Sequence, residues 1–164
     1  MAKQVLRRPL VTLRQARRSW VVWGLALGLF LSFGGASGVA DASDVPDLRI
    51  IVHPGNSARA VDKGFLSDAF LKKVTRWSSG EAIRPVDQRP ASAVRRSFTR
   101  NILKRTVAAV RSYWQQRIFS GRDVPPPELD SDESVIAYVE RTPGAVGYVS
   151  SAAKLGSSRE LQVQ

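Results

Sequence analysis

Residues 1–19 carry six basic side chains, Lys3, Arg7, Arg8, Arg14, Arg17 and Arg18, and no acid; Trp20–Phe33 then read WVVWGLALGLFLSF without a charge. A basic stretch, an apolar run and then small residues make the pattern of an export signal. Gly34–Ala42 supplies the small residues, and Ala40-Asp41-Ala42 has the small-x-small form that a signal peptidase requires, so cleavage is expected after Ala42, with Ala40 as the alternative. The competing reading is an uncleaved anchor over residues 20–40, since the uncharged run from Trp20 to Ala40 has 21 residues and a spanning helix needs about 20. Arg17-Arg18-Ser19-Trp20-Val21 also resembles a twin-arginine signal, with Ala16 where Ser or Thr is usual. All three readings place the remainder outside the cytoplasm, because the Lys/Arg excess lies on one side of the apolar run.

Removing residues 1–42 leaves 122 of the 164 residues, with 19 of the 25 Lys+Arg and 13 of the 14 Asp+Glu. The net charge falls from +11 to +6. There is no cysteine, which excludes disulfides and thiolate metal centres, and His53 is the one histidine. A single imidazole is too few for a His-rich metal site, and its place after a strand and before Pro54 makes a Ser-His-Asp enzyme improbable. Absence of cysteine suits a bacterial-type envelope protein that does not rely on disulfides.

Leu48–Val52 is a short apolar run stopped by His53-Pro54-Gly55-Asn56, which predicts a strand and a turn. Leu66, Phe70 and Val74 recur every fourth position, predicting a helix that closes at Trp77-Ser78-Ser79-Gly80. Ala82–Val86 is a second strand weakened by Pro85. A helix capped by Ser92 carries Val94, Phe98 and Ile102, and another from about Thr106 carries Val107, Val110, Trp114 and Ile118. Gly121 and Pro125-Pro126-Pro127 end the latter. Ser131 caps a short helix with Asp132 and Glu133 in its first turn and Val135, Ile136 and Val139 inward. Pro143-Gly144 ends it, and Ala145–Val149 is the last strand. The expected organisation is an α/β domain over residues 43–151, three short strands and four helices around one core, with a polar, frayed tail at 152–164.

Charge is segregated in blocks. From Arg84 to Arg122 there are ten basic residues against Asp87 alone, and from Asp123 to Glu140 six acids and no base. Such blocks make either two solvated faces that attract each other across the fold or a basic face for an anion or acidic partner. Nucleic acid is excluded as a partner by the core spacing of Phe98, Tyr113 and Trp114 and by export.

Thr142-Pro143-Gly144-Ala145-Val146-Gly147-Tyr148-Val149 resembles the T-x-G-A-I-G-Y-V segment of the phosphate-binding proteins of ABC transporters, the type II periplasmic binding proteins. Phe70 with Trp77-Ser78-Ser79-Gly80, then Ile83-Arg84-Pro85-Val86 and Arg96-x-Phe98, are similar to that family in the same order. Tyr113-Trp114, Phe119-Ser120-Gly121 and Pro125-Pro126 resemble its short, single-lobe members. The resemblance implies a single lobe of a type II periplasmic-binding-protein-like fold, a small sheet flanked by helices. It further implies extracytoplasmic binding of inorganic phosphate or a similar oxyanion in association with an ABC transport system, without enzymatic activity, cofactor or metal.

The family's phosphate loop, R-x-D-x-S-G-T at a helix start, falls at Asp87–Arg95, where S-G-T is absent. A phosphate needs converging helix-start N–H groups, hydroxyls and a bidentate guanidinium. Ser92, Arg89 and Arg95 are the candidates on this loop, and Asn56, in the turn after the first strand, is the fourth. The plainer alternatives are an N-cap for Ser92, a solvated helix face for Arg95 and Arg96, and a packed or surface residue for His53. Two-lobed relatives close over their ligand, so a lone lobe implies weak affinity and a second copy or envelope partner completing the cleft. The alternative function is an accessory or sensory interaction domain that has lost the ligand. A membrane enters either reading only through an uncleaved N-terminal segment.

Overall fold

The computed structural model describes residues 47–164; the export segment 1–42, its cleavage site and the anchor reading of residues 20–40 lie outside them. In chain order the elements are β1 (Leu48–Val52), β2 (Ala60–Val61), α1 (Lys63–Phe70), β3 (Arg84–Pro85), β4 (Asp87–Gln88), α2 (Ala93–Asn101), α3 (Val107–Phe119), β5 (Glu128–Leu129), α4 (Asp132–Arg141), β6 (Ala145–Ser150) and β7 (Arg159–Val163).

The main sheet has the order β2-β7-β1-β6-β3. β1 runs antiparallel to β6, from Leu48 opposite Ser150 to Val52 opposite Val146, and antiparallel to β7 on its other side. β2 and β3 join parallel to β7 and β6. β3 is an edge strand, the one place where Pro85 removes no interior ladder bond. Beyond it, β4 and β5 form a parallel two-stranded ribbon.

Continuous apolar runs such as Ile50-Ile51-Val52 arise where both faces of a strand are covered. Ile50, Val52, Val146, Tyr148 and Leu161 face Leu66 and Phe70 of α1, Phe98 of α2, and Val110 and Trp114 of α3. Ile51, Ala145 and Val149 face Val135, Ile136 and Val139 of α4. The sheet thus divides the expected single core into two apolar layers. Gly147 permits the second one, since a Cβ there would lie 2.7 Å from Val135 Cγ1 and 2.9 Å from Val86 Cγ1.

The caps expected at Ser92 and Ser131 are present, and Thr106 caps α3: each accepts a hydrogen bond from the backbone N–H three residues on. Three expectations need correction. The first helix ends at Phe70, because Lys72 turns into the left-handed region (φ +52°), and Val74 reaches the core from an irregular segment. Ile118, read as part of the apolar stripe of α3, is half exposed. The C-terminal segment is not frayed: Arg159–Val163 is β7, an interior strand whose Leu161 is buried. Its polar–apolar alternation is the signature of a strand with one buried face.

Candidate functional site

The chain from Arg84 to Arg89 serves two ladders at once. Arg84 and Val86 donate their N–H groups to Gly144 and Val146 beside β6, while Asp87 and Arg89 donate theirs to Pro127 and Leu129 beside β5. This brings Asp87 and Gln88 to the carboxyl edge of the parallel strands, immediately before the start of α2. Open α/β sheets hold ligands at that edge.

A hydrogen-bonded relay links the start of α2 to the start of α4. Ser92 Oγ donates to Gln88 Oε1 at 2.7 Å, and Gln88 Nε2 donates to Asp132 Oδ1 at 2.8 Å and to the Tyr148 carbonyl at 3.1 Å. Asp132 Oδ2 accepts from Ser150 N–H and, at 2.5 Å, from Ser150 Oγ. Beneath the relay lies a buried ionic cluster. Arg95 Nη1 is 2.9 Å from both Asp87 Oδ2 and Glu128 Oε1 and donates to the Gln88 carbonyl. Tyr148 donates its hydroxyl to Asp87, and its ring stacks on Phe98 with centroids 4.0 Å apart.

Burial pushes the Asp87 carboxyl up to about 6, against the lowering effect of the Arg95 guanidinium and the Tyr148 hydroxyl. Burial, then the neighbouring Asp87 charge, raises the Tyr148 phenol above its ordinary range. Because the folded pKa of Asp87 exceeds its unfolded value of 3.8, the folded state holds this proton more tightly. The group's contribution to stability is full below about pH 4 and is lost as pH rises through about 6. Two exposed or half-buried acids behave oppositely. At Asp123 burial acts to raise the pKa, but the Lys72 hydrogen bond, the Val124 N–H and the Lys72 and Arg117 charges outweigh it; the Ser157 N–H and hydroxyl hold Glu140 low. The melting temperature is therefore expected to rise as pH falls from 7 towards 5 and to drop below about 4. Circular-dichroism melts of the protein and of Asp87→Asn check this: the rise should vanish in the variant.

The structure brings three of the four candidates together and separates one. Ser92 is the N-cap of α2. Arg89 lies at the rim, exposed, its Nε 2.7 Å from exposed Asp130 Oδ1. Arg95, the candidate whose plainer alternative is a solvated helix face, is 4% exposed and committed to the ionic cluster. Asn56 is elsewhere: it follows the Val52 end of β1, opposite Val146, whereas Gln88 and Ser92 lie by Tyr148 and Ser150 at the other end of the sheet. There Asn56 Oδ1 accepts from Ala58 N–H and its carbonyl accepts from Arg159, which makes it a loop brace. His53 Nδ1 accepts from Gly55 N–H in the same turn. Tyr148 is fully buried with its hydroxyl paired.

The two guanidiniums differ in what it takes to free them. An exposed pair such as Arg89–Asp130 is worth about 0–1 kcal/mol. Breaking a buried pair such as Arg95–Asp87 costs about 3–5 kcal/mol. Arg89 can therefore change partner at little cost, whereas Arg95 holds the loop in place. Sequence reasoning missed Asp87 and Gln88; the signal was an acid standing alone among ten bases. Among the described residues, no group of three or more His, Cys, Asp or Glu is placed to hold a metal ion, and no helix is long and apolar enough to cross a membrane.

No protein-family model matches the chain, and no curated protein matches it in sequence. Solved structures do match. An ABC-type phosphate transport receptor from Vibrio cholerae superposes with a TM-score of 0.56 at 19% identity, covering 72% of this chain and 46% of the receptor. The chain has a single-lobe form of that receptor fold. PstS from Borrelia burgdorferi matches similarly, with a TM-score of 0.56 at 15% identity, over 73% of this chain and 47% of PstS. The chain thus spans a little under half the length of each.

Proposed function

We propose that the protein is an extracytoplasmic solute-binding-type protein that holds phosphate or a related oxyanion weakly at the start of α2, in association with an ABC transport system. The observation that carries this reading is the fold shared with phosphate transport receptors, combined with a Ser92-capped helix start beside an exposed Arg89 held only by its surface pair with Asp130. The leading N–H groups of a helix have no intrahelical acceptor and favour negative charge. Weakness follows from the internal use of the other donors: Ser92 Oγ already serves Gln88, and Arg95 serves Asp87 and Glu128. A second copy or an envelope partner that covers the site would strengthen binding by excluding water.

Calorimetric titration of the full-length chain with inorganic phosphate is expected to give a Kd weaker than micromolar, with Arg89→Ala weakening it about tenfold. Ser92→Ala should weaken it as well and also remove a cap worth about 1 kcal/mol of stability. Phosphate binding at micromolar affinity or tighter by a proven monomer, or affinity indifferent to both substitutions, sinks the reading.

The second reading is an accessory or sensory interaction domain without a ligand, and the closed Arg95–Asp87–Glu128 cluster favours it. It predicts no heat with phosphate and a stable protein partner in place of it.

A further inference from the structure

Three of the ten basic residues between Arg84 and Arg122 form ion pairs: Arg89 with Asp130, Arg95 with Asp87 and Glu128, and Arg117 with Asp123. Arg96, Arg100, Lys104 and Arg105 do not: among the described residues none of them forms an ion pair. These four instead line, with Thr106 and Val107, one open cavity of about 490 Å³ at the junction of α2 and α3. Arg96 also donates to the Ala91 carbonyl at 2.7 Å, and Arg105 lies over the Tyr113 ring at 5.7 Å. Both contacts leave further guanidinium N–H groups.

The arrangement carries costs that a merely solvated surface avoids. Arg96 and Arg100 are like charges one turn apart on α2, a destabilising spacing. Lys104 occupies the left-handed position (φ +52°) after α2, where the Arg105 N–H returns to the Thr99 carbonyl at 3.1 Å. Glycine is the residue that ends helices in this way without strain. With lysine, the turn instead delivers a fourth cation to the cavity.

We infer that this cavity is a second anion site, distinct from the start of α2, that takes a ligand bearing several phosphate groups. Four cations around a space of this volume exceed what one orthophosphate can neutralise, and they match a short phosphate chain. The ammonium of Lys104 and the forked guanidiniums supply point and bidentate contacts. The same chemistry has two sources, a soluble oligophosphate and the phosphates of an anionic lipid surface.

The test uses the purified full-length chain, titrated with inorganic tripolyphosphate and, separately, with phosphatidylglycerol vesicles against phosphatidylcholine vesicles. Arg100→Gln and Lys104→Gly are each expected to weaken binding about tenfold, and added salt to weaken it further. Lys104→Gly is also expected to raise the melting temperature, because glycine relieves the left-handed strain; loss of binding then cannot be ascribed to unfolding. Lys104→Gly should leave the titration with inorganic orthophosphate unchanged, which separates this site from the one at the start of α2. Tripolyphosphate binding lost in both variants supports a soluble ligand; binding to phosphatidylglycerol vesicles alone, lost in the same variants, supports the lipid source. Binding of neither probe, or binding that survives both substitutions, overturns the site.

Discussion

Arg95→Ala is expected to destabilise the protein by about 3–5 kcal/mol at pH 7, a fall in Tm of roughly 10–20 °C for a domain of this size. The change removes three interactions together: the contacts with Asp87 and Glu128 at 2.9 Å and the bond to the Gln88 carbonyl. Glu128 is 44% exposed at its side chain and returns to water. Asp87 cannot, and with its cation gone its carboxyl is driven further above the value of about 6 that burial already imposes. The variant should then take up a proton at neutral pH, so its deficit should shrink as pH falls from 7 to 5, by the same sign argument that applies to the parent protein. The single substitution Asp87→Asn and the double Asp87→Asn/Arg95→Ala complete a cycle, and the double, which removes both charges, should lose less than the two singles summed. Thermal melts of the four proteins at the two pH values decide the matter. Additive losses in the double variant, or a deficit in Arg95→Ala that does not change with pH, would show that packing and not charge holds the loop.

Gly144→Ala should be at least as damaging, for a reason that involves no charge. Gly144 sits at φ +76°, and a Cβ there would stand 2.1 Å from the Ala82 carbonyl oxygen and 3.2 Å from Glu81 Cγ. The Ala82 oxygen is backbone and cannot rotate aside. The Gly144 carbonyl also accepts from the Trp77 indole and from Arg84 N–H, both at 3.0 Å, so any shift that relieves the clash disturbs a buried tryptophan and the β3–β6 pairing. A loss above about 4 kcal/mol is expected. Gly80→Ala is the control: its φ is +87°, but nothing lies within 4 Å of the added carbon. It should cost only the backbone term of about 1–2 kcal/mol. Equal losses at the two positions would mean that the chain around Ala82 yields more easily than the packing implies.

Local chemistry made much of the fold legible in the sequence. Ser92, Thr106 and Ser131 each announce a helix start because a short hydroxyl side chain is what the orphan N–H groups of a first turn require. Leu48–Val52 and Ala145–Val149 read as strands because both of their faces are buried. β7 did not read as one, since Arg159, Glu160 and Gln162 dominate its composition and Leu161 alone is fully buried. Its place between β1 and β2 comes from long-range pairing, which no local window contains. The site divides in the same way. Ser92 and Arg89 were visible as a capping residue and a nearby cation. The burial of Arg95 was not, because on α2 it is one arginine among several, and only the approach of β5 and β6 distinguishes its environment from that of Arg96.

The position of β7 also bears on when the protein can fold. β1 is among the first segments of the domain to be synthesised, yet both of its neighbours, β6 and β7, lie roughly a hundred residues further along the chain, the kind of separation that slows folding. Until Arg159–Val163 has emerged, one edge of β1 has no partner and the α1–α3 layer lacks Leu161. Assembly of the sheet therefore waits for β7, and β1 stays short of one neighbour until that strand has been made.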